Sequence, residues 1–290
     1  RATMAASKCK GNDMVCYAVY DKKMSDELIA SQEISNDMNE ALKNGQFHVY
    51  LQPKFNLHTK EVSGAEALVR WNHPRKGLVP PDDFIPVFEK NGFIQKLDEY
   101  VWEKCCQYIR SWLDRGVVPY PISVNMSRVD TLNSQLCDIL KEMLDKYNLL
   151  PEYLNIEITE SAYMENSVQM IETITRLKNI GFKIEMDDFG KGYSSLNMIS
   201  ELPIDKLKLD MSFLQRKRSK MTSESVIKLI VDLAKTLNLT VVAEGIETKD
   251  DLLFLQEIGC EYGQGYYFSK PLPINEFEDL FLAKKLHINL

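Results

Sequence analysis

The sequence predicts an α/β barrel, and three observations carry that prediction. Short β-branched runs alternate with amphipathic stretches along most of the chain, the order that builds a parallel sheet covered by helices. The number of these repeats within 290 residues favours a closed (β/α) barrel over an open doubly wound sheet. Gly190, Gly192, Gly263 and Gly265 also lack the G-x-G-x-x-G spacing of a dinucleotide fold. Polar groups then recur at the ends of the predicted strands: Glu66, Asn125, Glu157, Asp187, Lys208 and Glu244. Strand C-termini form the active face of such a barrel, so fold and chemistry point to the same end.

Each element has its own signal. Met24 to Leu42 reads as a helix of mixed charge. Phe47 to Leu51 and Val62 to Val69 alternate like strands, and the polar loop between them suggests a hairpin. Asp82-Asp83 open a helix after Pro80-Pro81, and Asn91-Gly92 stop it. A long amphipathic segment runs from Gln95 to Arg115 and closes at Gly116. Beyond it, strands are predicted at Ile122–Met126, Leu154–Ile158, Phe182–Met186, Lys206–Leu209, Thr240–Ala243 and Gly265–Phe268. Helices are predicted at Ser134–Tyr147, Ser167–Asn179, Ser223–Leu237 and Lys249–Ile258, with Gly181 and Gly259 as stops.

Composition narrows the function. The hydrophobic share is 44%, the charged share 27%, and the net charge is -7. An acidic balance argues against binding a DNA or RNA polymer, which needs a basic surface to displace counterions. Six cysteines and four histidines show no zinc-type spacing, and the adjacent Cys105-Cys106 suit packing in a helix better than a disulfide framework. A reducing, cytoplasmic setting is expected. No apolar run is long enough to span a bilayer, and no signal peptide is visible.

Taken singly, each polar group has a plain alternative. Glu66 could face solvent, Asn125 could cap the following turn, and Glu160 could cap the next helix. Lys208 could be a surface lysine. Asp187-Asp188 is harder to explain away, because adjacent carboxylates at a strand end repel unless cations lie near. Mg²⁺ and Mn²⁺ take clustered carboxylate and amide oxygens, so Glu66, Asn125, Glu157 and Asp187 would make one site, with Asp187 bridging to a second ion. Two ions about 3.5–4 Å apart clamp an in-line phosphoryl displacement. Lys208 would relieve the local charge, Glu244 could take a proton from the attacking water, Gln264 offers an amide oxygen, and Arg70 could fork onto a phosphate.

The ordered set of motifs resembles the EAL domain family, phosphodiesterases acting on the bacterial second messenger cyclic di-GMP. The match runs through Gln52-Pro53, Glu66-Ala67-Leu68-Val69-Arg70-Trp71-Asn72-His73-Pro74, Phe84-Ile85-Pro86 and Ser123-Val124-Asn125-Met126-Ser127. It continues through Glu157-Ile158-Thr159-Glu160, Asp187-Asp188-Phe189-Gly190, Gly192-Tyr193-Ser194-Ser195-Leu196 and Lys208-Leu209-Asp210, and ends with Ala243-Glu244-Gly245-Ile246-Glu247 and Gln264-Gly265-Tyr266. The resemblance implies a modified TIM (β/α)8 barrel with one antiparallel strand and two Mg²⁺ or Mn²⁺ ions. It implies that Glu66, Asn125, Glu157, Asp187, Asp188 and Glu244 serve the metals, and that Lys208, Glu244 and Glu66 are catalytic. Gln52, Arg70 and Gln264 would bind substrate or water, and Glu160 and Glu247 would support the loop from Asp188 to Ser195.

The resemblance further implies hydrolysis of cyclic di-GMP to linear pGpG, and a homodimer. A catalytically silent cyclic di-GMP receptor is the alternative. Two positions depart from the family: Lys191 stands where a small residue or threonine is common, and Leu51 where an aromatic is common. The chain opens with Arg1 rather than methionine, and Ala5 to Tyr20 is similar to the end of a GGDEF domain. Residues 1–36 are therefore expected to be the tail of a preceding GGDEF-like domain plus a linker helix, and residues 37–290 the EAL phosphodiesterase domain. Upstream GGDEF or sensor domains would be covalently linked, in a parent protein that could be membrane-anchored.

Overall fold

A computed structural model describes residues 22–165, 167–189, 201–211 and 220–282. The sequence readings at residues 5–20 and at Lys191 lie outside these. The described residues divide into two units, one of residues from 22–48 and 70–94 and the other of residues from 49–69 and 95–282.

The larger unit holds the barrel. Its strands are β1 (Phe47–Asn56), β2 (Val62–His73), β4 (Ile122–Asn125), β5 (Leu154–Thr159), β6 (Ile184–Phe189), β7 (Lys206–Asp210), β8 (Thr240–Glu244) and β9 (Tyr262–Gly263). They are hydrogen-bonded in the order β1-β9-β8-β7-β6-β5-β4-β2, and a further β1–β2 pairing closes the ring. Every neighbour pair from β2 round to β9 is parallel, while β1 runs antiparallel to β9. The fold is the modified (β/α)8 barrel with one antiparallel strand. The first two strands form the expected hairpin, turned by Asn56, whose side chain accepts from the backbone N–H groups of His58 and Thr59 at 3.0 and 2.9 Å.

Helices α3 (Ile94–Asp114), α4 (Leu136–Tyr147), α5 (Glu160–Glu165), α6 (Ser167–Ile180), α7 (Lys220–Thr236) and α8 (Lys249–Glu257) follow the strands. Their apolar stripes recur at three- and four-residue spacing, so Leu136, Leu140 and Leu144 of α4 and Met170, Ile174 and Leu177 of α6 are all buried. They pack on the apolar strand residues in one continuous core that includes Val124, Ile156, Ile158, Ile184, Leu207 and Leu209. Strand residues alternate in direction. Apolar side chains therefore leave the sheet toward the helices, and the polar ones between them are left for the barrel interior.

One strand prediction fails. Gly265–Phe268 is a turn, and the closing strand is Tyr262–Gly263. The reason is the close approach of two backbones. A Cβ on Gly265 would stand 2.2 Å from the carbonyl oxygen of Ile246. The β8–β9 ladder ends with Gln264 N–H on Ala243 O at 2.8 Å, and beyond it the chain bonds to the segment after β8, with Tyr267 N–H on Ile246 O at 2.9 Å.

The smaller unit contains α1 (Lys22–Lys43), the end of β2, β3 (Gly77–Val79) and α2 (Pro81–Asn91). The last of these starts at Pro81, which needs no N–H there. An aromatic cluster of Phe47, Trp71, Phe84, Phe88 and Phe93 fills it. The backbone N–H groups of Arg75 and Lys76 donate to His73 Nδ1, so Nε2 carries the proton it gives to Asp37 Oδ2 at 3.0 Å.

Candidate active site

Four predicted acids of the larger unit converge on one ammonium. Lys208 is wholly buried, and its Nζ lies 2.8 Å from Glu157 Oε2, 3.0 Å from Glu244 Oε1, 3.1 Å from Asp187 Oδ1 and 3.3 Å from Glu66 Oε2. Register explains how one lysine reaches four strands. Lys208 stands opposite Val242, one pleat below Glu244, and its long stem lifts the charge to the level of the strand ends. Four carboxylates around one cation leave a surplus of negative charge.

The electrostatics follow from burial and crowding. Burial, and then the charge on Glu66, push the Glu157 carboxyl up to about 8, although Lys208 and Lys54 pull the other way. Burial raises Glu244 well above the carboxylate range, with Asp187, Glu66 and Glu157 adding to it and Lys208 opposing. The Lys208 ammonium is disfavoured by burial, but its acidic neighbours outweigh that and hold it far above its usual value. Without a further cation, the cluster can stay compact only by keeping protons.

Local structure places each member. Asp188 has φ 59°, in the left-handed region, and the register slips between Met186 and Phe189. This bulge breaks the alternation that would send Asp187 and Asp188 to opposite faces of β6. Asp188 N–H donates to Asp187 Oδ1 at 2.8 Å. Gly245, at φ 73°, ends β8 just after Glu244, and Thr248 then opens α8 with a capping box to Asp251. Asn125 sits opposite Glu157, and its carbonyl accepts from Trp102 Nε1 at 2.9 Å. The turn after it is capped by Asp130, which accepts from Ser127 N–H and Oγ at 2.8 and 2.6 Å. Asn125 is therefore not used as the cap, and its carboxamide has no partner among the described residues.

Gln264 Nε2 donates to Glu66 Oε2 and to Glu244 Oε1, the latter at 2.8 Å. Its Oε1 is buried with no hydrogen-bond partner among the described residues. A buried amide oxygen without a donor is costly, and it marks a place for a cation or a water. Glu66, Glu157 and Asp187 each offer an oxygen, all within 4.8 Å of one another. Surplus charge, an orphan amide oxygen and converging hard oxygens fit a divalent cation.

Other predicted residues are placed individually. Gln52, buried on β1, donates from Nε2 to Ser269 O at 3.3 Å. Arg70 is partly buried on β2, in the smaller unit. Glu160 is buried as the first residue of α5, whereas Glu247 is exposed and its N–H donates to Asp251 Oδ2 at 3.3 Å. The loop they are expected to support runs beyond the described residues after Phe189.

Sequence reasoning missed a second polar group inside the barrel. Lys54 Nζ donates to Ser123 Oγ at 2.7 Å, to Glu157 Oε1 at 2.8 Å and to Glu185 Oε2 at 2.5 Å. Asn155 and Lys206 each donate to Glu185 Oε1 at 2.8 Å. A signal was present. Lys54, Ser123, Asn155, Glu185 and Lys206 each lie two residues before or after a flagged position, and so share its face of the strand.

A sequence model described as the EAL domain matches residues 35–271. The chain belongs to the EAL domain family. The bifunctional diguanylate cyclase/cyclic di-GMP phosphodiesterase MucR of Pseudomonas aeruginosa is 34% identical to this EAL chain over 275 residues, covering 95% of the chain and 40% of that protein. The cyclic di-GMP phosphodiesterase NbdA of the same species is 38% identical over 256 residues, covering 88% of the chain and 33% of that protein. A solved structure of the PaMucR phosphodiesterase in complex with c-di-GMP superposes with a TM-score of 0.80 at 35% identity, covering 84% of this EAL chain and 99% of that one. The chain thus spans between a third and two-fifths of the length of these curated relatives. Among the described residues no helix is long and apolar enough to cross a membrane.

Proposed function

We propose that this EAL chain is a metal-dependent phosphodiesterase that opens cyclic di-GMP to linear pGpG. The observation that carries the proposal is the set of four carboxylates around Lys208, with the orphan oxygen of Gln264 beside them. The MucR and NbdA names and the c-di-GMP complex of the MucR domain support the substrate.

Glu66, Asn125, Glu157 and Asp187 would hold one Mg²⁺ or Mn²⁺ ion and Asp187 and Asp188 would serve a second, with Glu244 beside them. When bound, such ions stabilise charge on phosphoryl oxygens and lower the pKa of water. Lys208 and Gln264 orient the attacking water, and Glu244 accepts its proton. The water oxygen bonds to phosphorus as the P–O3′ bond breaks, solvent supplies the proton that the 3′-oxygen takes up and removes the one left on Glu244, and the product keeps a 5′-phosphate. Gln52 and Arg70 bind the substrate, and Glu160 and Glu247 brace the loop after β6. The reading extends to a homodimer and to linked upstream GGDEF or sensor domains. A silent receptor is disfavoured by the complete set of ligand oxygens.

Incubation with cyclic di-GMP and Mg²⁺ or Mn²⁺ is expected to yield pGpG, read by chromatography. Tight binding without product under either metal would overturn the enzyme and leave the receptor.

A pH dependence follows from the crowded carboxyls. Glu157, raised from 4.5 to about 8, favours the metal-free fold at low pH, and that contribution is lost as pH rises through about 8. Cation binding must displace the proton. Mn²⁺ affinity is therefore expected to rise as pH approaches about 8. The calorimetric heat should also vary with the ionisation enthalpy of the buffer. A buffer-independent heat at neutral pH would show that no proton is released.

A further inference from the structure

We propose that Lys54 is a positioning residue for Glu157, holding that carboxylate from the side away from the reaction. The inference rests on the metal-dependent reading above. Glu157 has two oxygens, and two ammoniums divide them: Lys208 takes Oε2 and Lys54 takes Oε1, each at 2.8 Å. Lys208 also contacts Glu66, Asp187 and Glu244, so Oε2 is the oxygen directed into the cluster. The last torsion of a glutamate is soft, and its donors decide where the carboxylate plane settles. With Oε1 pinned, Oε2 has one direction left.

The register shows why a second acid accompanies this lysine. Glu157 and Glu185 stand directly opposite each other on parallel neighbours, both fully buried. Like charges so placed repel. Lys54 sits between them, and Lys206 and Asn155 satisfy the other oxygen of Glu185. Burial alone would drive the Lys54 ammonium to lose its proton, but Glu157 and Glu185 overcome this and keep it charged. A cavity of about 160 Å³, lined in part by Lys54, Ser123, Asn155 and Lys206, borders this network. Lys54 is also held by Ser123, so partners from three other strands fix its ammonium. Its charge is therefore spent on geometry, in the manner of the hydrogen-bonded partners that orient metal-ligating carboxylates.

The test removes the pair without changing the net charge seen by a cation. Lys54→Met/Glu185→Met and Lys54→Gln/Glu185→Gln each delete one positive and one negative charge. Exchanging a buried ion pair for neutral groups of similar size is often neutral for stability. Lys206, partly exposed, can turn to solvent. Mn²⁺ binding to the metal-free proteins, measured by calorimetry, is expected to weaken about 10–100-fold while the thermal midpoint stays near wild type. A role in the fold alone would move the midpoint and not the affinity. Affinity within about twofold of wild type in a folded variant would overturn the proposal, against the 10–100-fold loss expected of an orienting partner. So would failure of both variants to fold, which would make the pair a requirement of the fold. Absence of Mn²⁺ binding by the wild type would instead overturn the metal reading on which this one rests.

Discussion

Replacing Lys208 with methionine is expected to cost the metal-free protein about 3–5 kcal/mol of stability, because it strands buried carboxylates without their cation. Four acids contact that ammonium, from four different strands, and the lysine is wholly buried. Methionine keeps most of the stem's volume, so packing contributes little to the loss. Mn²⁺ is expected to restore much of the stability, because a divalent ion replaces the missing charge. Turnover should still fall about 10²-fold, the cost of a misplaced attacking group. Denaturation with and without Mn²⁺, alongside pGpG formation, measures both effects. Equal stability of the metal-free variant and wild type would show that the ammonium is not the counter-ion of the cluster. Full activity with Mn²⁺ would remove Lys208 from the machinery.

The barrel was legible because two periods are written into the chain. Runs such as Leu154–Ile158 alternate every second residue, stretches such as Leu136 to Tyr147 every third or fourth, and their order leaves few topologies. The upper ring of the site was legible for the same reason. Glu66, Glu157, Asp187, Lys208 and Glu244 interrupt apolar runs where a barrel opens.

What stayed hidden depends on register and on backbone approach. Lys54 lies on the antiparallel strand, so no alternation along β5 or β6 could show that it sits between Glu157 and Glu185. Their pairing is a fact of register, and register between distant strands is set by closure of the ring. Gly265 reads as a strand residue because Tyr266-Tyr267-Phe268 has strand composition. The carbonyl of Ile246 so close to Gly265 decides otherwise, and no local pattern reports such a contact. The bulge at Asp188 is likewise invisible in composition, although two adjacent acids make it necessary if both are to serve one end of a strand.

Glu66→Gln is expected to separate function from stability. The amide preserves shape and can still meet Gln264, whose Nε2 donates to Glu66 Oε2 in the native protein. It removes one anionic oxygen from the converging set with Glu157 and Asp187. Mn²⁺ affinity should therefore fall by more than the about 10–100-fold that loss of a merely supporting partner costs, and pGpG formation should fall with it. Metal-free stability should move the other way. The charge on Glu66 is among the causes that raise both Glu157 and Glu244, so its removal relieves them, and Lys208 keeps three acidic partners. A gain on the order of 1 kcal/mol near pH 8 is expected, shrinking toward low pH as the crowded carboxyls take up protons in either protein. Opposite signs for activity and stability are the mark of a residue kept for a ligand rather than for the fold. A variant that loses both in the metal-free state would show instead that Glu66 serves the barrel as a structural partner of Lys208 and Gln264.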